Sequence, residues 1–229
     1  GTFPQGTAAY EKRGVAVDVP CWNSEGCLQC NQCAYVCPHA VIRPVVMNEE
    51  EKNNAPAGMK VTPMTGMPGY YFTMTVSVLD CTGCGSCTNV CPGNNRNDVL
   101  KMASLETQMD EQKFFEYGLT VSDKPEVLEK FKKGTVKGSQ FKQPLLEFSG
   151  ACAGETPYAK LITQICGDRM LIANATGCSS IWAGSSPSTP YTVNKAGKGP
   201  AWGNSLFEDN AEFGFGMKLA QDANRAALK

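Results

Sequence analysis

The sequence predicts an α+β unit built around two cysteine-rich loops, followed by an α/β unit that is incomplete. Three observations carry that prediction. Cys27, Cys30, Cys33 and Cys37 fall within eleven residues with Pro38 behind them, and the same spacing returns at Cys81, Cys84, Cys87, Cys91 and Pro92. Stretches of alternating or β-branched apolar side chains flank both runs, as half-buried strands require. Beyond residue 144 the cysteine-rich pattern gives way to a helix, a strand, a small-residue loop and another helix.

The cysteine spacing fixes the chemistry of the first unit. A cubane 4Fe-4S cluster needs four thiolates, of which one short loop can supply three; the fourth of each run then ligates the other cluster. On this reading Cys27, Cys30, Cys33 and Cys91 hold one cluster, and Cys81, Cys84, Cys87 and Cys37 hold the second. The pattern is that of a bacterial-type two-cluster ferredoxin, and the exchange of ligands ties both halves into one domain. Zinc sites also use paired C-x-x-C groups, but each run here has three evenly spaced cysteines plus a Cys-Pro. Structural disulfides fit poorly, because so dense a set of thiols without a secretion signal implies metal or redox work in a reducing compartment.

Composition narrows the function further. Among 229 residues there are 21 Lys and Arg against 22 Asp and Glu, and no basic stripe, so neither nucleic acid nor an anionic membrane surface is an expected partner. No apolar run approaches 18 residues, and no charged-then-apolar leader opens the chain, so no membrane association is expected. The single histidine, His39, leaves little room for histidine-based catalysis, and its place after Pro38 suggests a residue beside a cluster or at the surface.

Taken in order, residues 14–20 alternate as a strand leading into the first loop, and residues 41–46 form the strand that leaves it. Residues 47–69, with Glu49 to Glu51 and a run of Pro and Gly, read as an inserted surface loop. Residues 70–78 alternate and deliver the chain to Cys81, so the two halves form an internal repeat. The ferredoxin unit is expected over 1–107. Residues 108–143, charged and free of cysteine, read as a connector packed loosely over its neighbours, with helices near 109–117 and 125–133. In the second unit, over 144–229, Thr156 is expected as N-cap with Pro157 opening a helix to about Cys166. A strand at 170–175 empties into Thr176 to Ser180, the kind of loop found at the carboxyl end of a strand where ligands bind. Ser205 to Glu208 reads as a capping box opening the last helix. Cys21 and Cys166 are expected as buried structural thiols. One clear strand in so long a unit means that the rest of its sheet comes from elsewhere.

Three stretches of the second half carry a resemblance. Phe148 to Tyr158, Ala173 to Trp182 and Gly199 to Asp209, continued backward through Val136 to Phe141 and both cysteine runs, resemble pyruvate:ferredoxin (flavodoxin) oxidoreductase. The chain looks like that enzyme's two-cluster ferredoxin domain plus the start of its thiamine-pyrophosphate-binding α/β domain. The resemblance implies oxidative decarboxylation of pyruvate with coenzyme A to acetyl-CoA and carbon dioxide, with electrons leaving through three 4Fe-4S clusters to ferredoxin or flavodoxin. It further implies thiamine pyrophosphate with magnesium in the complete enzyme, a homodimer, and a home in the cytoplasm or the matrix of an anaerobic energy organelle. It assigns Cys152 and Cys178 to the third cluster, and Glu155, Thr176, Gly177 and Ser179 to the thiamine site.

The sequence departs from that family in ways that matter. Where the family has C-A-G-C-G-E-T, Cys152-Ala153-Gly154-Glu155-Thr156 lacks the second cysteine, so only two ligands remain for the third cluster. The family's G-D-G motif, which binds magnesium and thiamine pyrophosphate, does not occur, and Gly167-Asp168-Arg169 reads as a plain turn. The chain is therefore expected to be a piece of the enzyme, inactive alone. Competing readings are a stand-alone two-cluster electron carrier, a piece of a related 2-oxoacid oxidoreductase, and a zinc-stabilised interaction module.

Overall fold

A computed structural model describes residues 4–93, 98–147, 154–185 and 188–229. The first unit is a duplicated plan. Strand β1 (Asp18–Trp22) leads into the first cysteine loop and helix α1 (Gln32–Val36), and the chain leaves by β2 (Ile42–Met47). After an insertion carrying α2 (Glu49–Asn53) and β3 (Thr62–Pro63), the plan repeats as β4 (Tyr71–Val76), the second loop, α3 (Ser86–Asn89) and β5 (Leu100–Ser104). The outer strands pair antiparallel, Asp18 with Ser104 through Trp22 with Leu100. The inner strands pair likewise, Ile42 with Val76 through Met47 with Tyr71. Each half thus contributes one strand to each pairing, which locks the two loops against a common core of Val19, Trp22, Ile42, Phe72, Met74, Val76 and Leu100.

The insertion is more ordered than a surface loop. Asn48 caps α2 through a capping box, its Oδ1 accepting from the Glu51 amide at 2.8 Å while Glu51 Oε2 accepts from the Asn48 amide at 2.9 Å. Thr62 and Pro63 add a short third strand beside β4.

Residues 108–143 are not loosely packed. They form α4 (Asp110–Thr120), α5 (Pro125–Phe131) and α6 (Val136–Gln140). Phe115 and Val127, each 1 % exposed, and Phe141 lie in the main core beside Phe72. Phe141 meets Phe72 edge to face at 6.4 Å and Phe131 at 5.5 Å. The expectation of a solvated connector failed because a narrow apolar stripe suffices when the rest of a helix is charged and faces water.

In the second unit α7 (Thr156–Cys166) is followed by β6 (Leu171–Ala175), a helical turn α8 (Cys178–Ser180), β7 (Ala201–Ser205) and α9 (Asn210–Ala227). The cap of α7 is Glu155, not Thr156, whose Oγ1 is buried without a partner. Ser205 does not cap α9, since its backbone pairs with Ala175 in the parallel β6–β7 ladder; the N-cap is Asp209. The unit therefore has two strands where one was evident. Helix α9 buries none of its residues, and Phe215 and Leu219 stand exposed on it. The amino-terminal segment crosses to this unit, Gly6 N donating to Tyr191 O at 2.7 Å and Ala8 N to Thr189 O at 3.1 Å. Cys21 and Cys166 are half-buried, so neither is the core thiol expected. Among the described residues no helix is long and apolar enough to cross a membrane.

Candidate metal centre

Two cavities in the first unit are each walled by four thiols. One is lined by Cys27, Cys30, Cys33 and Cys91, with Trp22, Met74, Val99 and Leu100. The other is lined by Cys37, Cys81, Cys84 and Cys87, with Pro20, His39, Ile42 and Met102. The fourth cysteine of each run faces the other run's cavity, the exchange that spacing alone predicts. Among the described residues no three His, Cys, Asp or Glu side chains converge to hold a single metal ion.

Backbone conformation explains how short loops bring three thiols around one space. Gln29 and Asn31 have φ of 51° and 62°, and the equivalent Gly83 and Gly85 have 70° and 73°. Left-handed residues on both sides of the middle cysteine turn each loop sharply, and such residues recur in the backbone concavities that suit anionic groups and iron–sulfur sites. Gly83 N donates to Cys81 Sγ at 3.4 Å. A side chain at Gly83 would meet Asp18 O at 3.1 Å and Ala16 Cβ at 3.3 Å, so this position needs glycine for space as well as for φ. In the first loop Gln29 is held by its side chain, Nε2 donating to Pro63 O at 2.9 Å and Oε1 accepting from Thr65 N at 2.8 Å. The inserted segment is thereby fastened over the first cavity. Asn31 Nδ2 donates to Lys137 O at 2.9 Å, which fastens α6 to the same loop.

Electrostatics fit a metal group. Burial first, then the neighbouring cysteines, push Cys81 up to about 11 and Cys87 up to about 12. Burial likewise raises Cys33 well above the usual thiol range, with Cys87, Cys27 and Cys30 adding to it. Four crowded thiols cannot all ionise in an apolar wall without a cation among them, so metal binding must expel their protons. Each cavity is also lined by a residue whose ring nitrogen is buried and unpartnered: Trp22 Nε1, a donor, in the first, and His39 Nε2, a donor when its tautomer places the proton there, in the second. Trp22 nonetheless stands close enough to Cys27 to offset part of the effect of burial there. Such donors suit the sulfurs of a cluster, and the residues present fit two 4Fe-4S groups.

The residues assigned to the thiamine site and the third cluster are only partly brought together. Glu155 Oε1 accepts from Trp182 Nε1 at 2.6 Å, which joins the start of α7 to the turn after β6. Thr176 Oγ1 donates to Ser205 O at 3.2 Å, and Gly177 N to Ser180 Oγ at 2.9 Å. Cys178 is a free, exposed thiol and Ser179 is half-buried beside it. Cys152 lies outside the described residues.

Comparison with known proteins gives a family for this geometry. A family described as 4Fe-4S dicluster domain matches residues 26–95. The chain is 59% identical over 230 residues to a pyruvate-flavodoxin oxidoreductase of Enterobacter agglomerans, covering 100% of the chain and 19% of the relative. Along its whole length it is homologous to one stretch of that oxidoreductase family. A pyruvate:ferredoxin oxidoreductase of Moorella thermoacetica is 56% identical over 96% of the chain and 19% of the relative. A pyruvate dehydrogenase [NADP(+)] of Cryptosporidium parvum is 53% identical over 98% of the chain and 12% of its own length. The chain spans about a fifth of the length of the first relatives it matches. Its cofactors include two 4Fe-4S clusters, as the dicluster match and the two quartets agree.

Sequence reasoning missed Trp22, Gln29 and Lys160 as residues of this neighbourhood. Trp22 could have been found as the last side chain of the strand entering the loop. Gln29 and Lys160 act through long-range hydrogen bonds that leave no local pattern.

Proposed function

We propose that this chain is the electron-carrying segment of an enzyme that oxidises pyruvate with coenzyme A to acetyl-CoA and carbon dioxide and delivers electrons to ferredoxin or flavodoxin. The observation that carries the reading is the pair of four-thiol cavities, each completed by a cysteine of the other loop, in a chain over half identical to pyruvate oxidoreductases. Cys27, Cys30, Cys33 and Cys91 hold one cluster; Cys37, Cys81, Cys84 and Cys87 hold the other. Bound there, a 4Fe-4S cluster supplies a one-electron couple. The chain's own part is to position the thiolates, to exclude water with Trp22, Met74, Ile42 and Met102, and to offer N–H donors to sulfur.

The second unit supplies the front of the thiamine-pyrophosphate domain. Glu155, Thr176, Gly177 and Ser179 line the carboxyl end of β6 on the thiamine side, and Cys152 and Cys178 contribute to a third cluster whose other ligands lie in further sequence. The remaining strands and a homodimeric partner complete the site in the whole enzyme, which works in the reducing cytoplasm or an equivalent organelle matrix. Relatives named for flavodoxin, ferredoxin and NADP(+) share this stretch, so the choice of acceptor rests with the rest of each protein.

The test is purification without oxygen followed by iron and zinc analysis. About eight irons per chain are expected, with a broad visible band that bleaches on reduction. Zinc, or two irons or fewer, would end the proposal. Pyruvate-dependent dye reduction by the full-length protein, and none by this chain, is the expected activity pattern.

A further inference from the structure

Helix α7 turns a polar stripe inward. Thr156, Lys160, Thr163 and Gln164 are buried, while Tyr158 and Ile162 are exposed. Thr163 and Gln164 serve local packing: Thr163 Oγ1 accepts from Leu145 N at 3.1 Å, and Gln164 pairs with Gln140 at 3.0 Å. Lys160 is a charge, and it is 1 % exposed. Its Nζ donates to Ala34 O, to Tyr35 O at 3.1 Å and to Cys37 O at 2.9 Å. Three donors thus meet three carbonyls, all on the last turn of α1 and the residues just beyond.

Those hydrogen bonds do not neutralise the ammonium, and a buried charge without a counter-charge is costly. Of its neighbours, Cys37 and Cys33, once they are thiolates, favour the protonated form of Lys160, and Arg43 opposes it. Arg43 has a carboxylate of its own, Glu147 at 3.7 Å. Burial lowers Lys160 to about 8, and the three carbonyl oxygens around Nζ match the three N–H donors of an ammonium. Helix α1 carries Cys33, which faces one cavity, and ends at Cys37, which faces the other. Lys160 therefore grips the one short segment that serves both sites.

We propose that Lys160 is the internal counter-charge of both cluster sites, a positioning residue that raises their reduction potentials, that of the Cys37, Cys81, Cys84 and Cys87 site most. This rests on the reading that the two quartets hold 4Fe-4S clusters. A cubane with four thiolates is anionic, and reduction adds one negative charge. A fixed positive charge in a medium of low dielectric stabilises the more negative state, and cluster potentials respond to local charge and hydrogen bonding. The ordering follows from Cys37 being in direct contact with Lys160.

The experiment compares the 229-residue chain, loaded with clusters under anaerobic conditions, with Lys160→Met, Lys160→Gln and Lys160→Arg. Potentiometric dithionite titrations followed by electron paramagnetic resonance read each potential, and iron analysis reads occupancy. Both neutral variants should retain about eight irons. In both, the ratio of reduced to oxidised cluster at fixed ambient potential should fall about tenfold at the Cys37 site, a drop of about 59 mV for a one-electron couple. Lys160→Arg should restore most of the shift. Lys160→Gln keeps hydrogen-bond donors without charge, so a normal potential in it would assign the effect to hydrogen bonding and overturn the proposal. Loss of iron from both neutral variants but not from Lys160→Arg would overturn it too, since Lys160 would then be needed for assembly and not for tuning. A wild-type chain without two clusters would instead remove the underlying reading.

Discussion

Phe115→Ala asks whether residues 108–143 belong to the core of the ferredoxin unit. The ring is buried in the main cluster, with the Arg43 guanidinium 5.1 Å and Lys12 Nζ 6.0 Å from its centroid. Removing a buried Phe costs about 3–5 kcal/mol through lost transfer energy and the cavity left behind. The cation–π contacts add to this by roughly 0.5–2 kcal/mol at a desolvated site. For a chain of this size each kcal/mol moves the midpoint by roughly 2–4 °C, so a total of about 3.5–7 kcal/mol gives an expected fall of about 7–28 °C. Leu119, on the same helix and 36% exposed, is the control; Leu119→Ala should cost about 1 kcal/mol or less. The assay is thermal unfolding of the loaded protein at one scan rate by near-ultraviolet circular dichroism, with urea midpoints as a second reading. A Phe115→Ala shift no larger than that of Leu119→Ala would mean that α4 rests loosely on the sheet, and the packing argument would be wrong.

Gly83→Ala should destabilise the second loop by about 1–3 kcal/mol, because its φ is left-handed and its Cβ would crowd Asp18 O. Iron content should fall toward half, whereas Gly66→Ala, strained in φ but with nothing within 4 Å, should keep both clusters. Cys87 is raised to about 12, so in the metal-free chain its contribution to stability is fully present below the unfolded thiol value of about 8.5 and is lost as pH rises through the range up to about 12. The stability of the metal-free chain relative to Cys87→Ala, from anaerobic urea midpoints, should therefore decline above about pH 9; a constant difference from pH 8 to 11 would contradict the cause assigned. Cys178 is exposed and free, so maleimide should label it rapidly in the loaded chain, and protection of Cys178 would reveal a third cluster or an unforeseen contact.

What the sequence showed plainly was covalent and local. Cysteine spacing is set by the geometry of a cubane, so both quartets follow from the order of the cysteines along the chain, and the alternation at residues 14–20 and 70–78 placed two strands to within a few residues. Signals failed where tertiary pairing overrode them. Ser205 to Glu208 has the letters of a capping box, but the Ser205 backbone belongs to a ladder with β6, a partner thirty residues back. Phe115, Val127 and Phe141 are separated by charged stretches, and only the core they share with Phe72 reveals that they belong together. Lys160 is less legible still, because its carbonyl partners are more than 120 residues away. The residues assigned to the thiamine site come from resemblance alone; Glu155 meets Trp182 and Thr176 meets Ser205 across 27 and 29 residues, contacts that spacing could not foretell, and only the Gly177–Ser180 contact is local.

The most direct test of the exchanged ligands is Cys91→Ala, read by alkylation and mass spectrometry of the anaerobic protein. Cluster-bound thiolates resist alkylation, so the lost cluster names its own ligands. With Cys91 in the cavity of the first loop, iron should fall from about eight to about four per chain, Cys27, Cys30 and Cys33 should become reactive, and Cys37, Cys81, Cys84 and Cys87 should stay protected. Reactive Cys81, Cys84 and Cys87 beside protected Cys27, Cys30 and Cys33 would show each loop to be self-contained and would contradict the account.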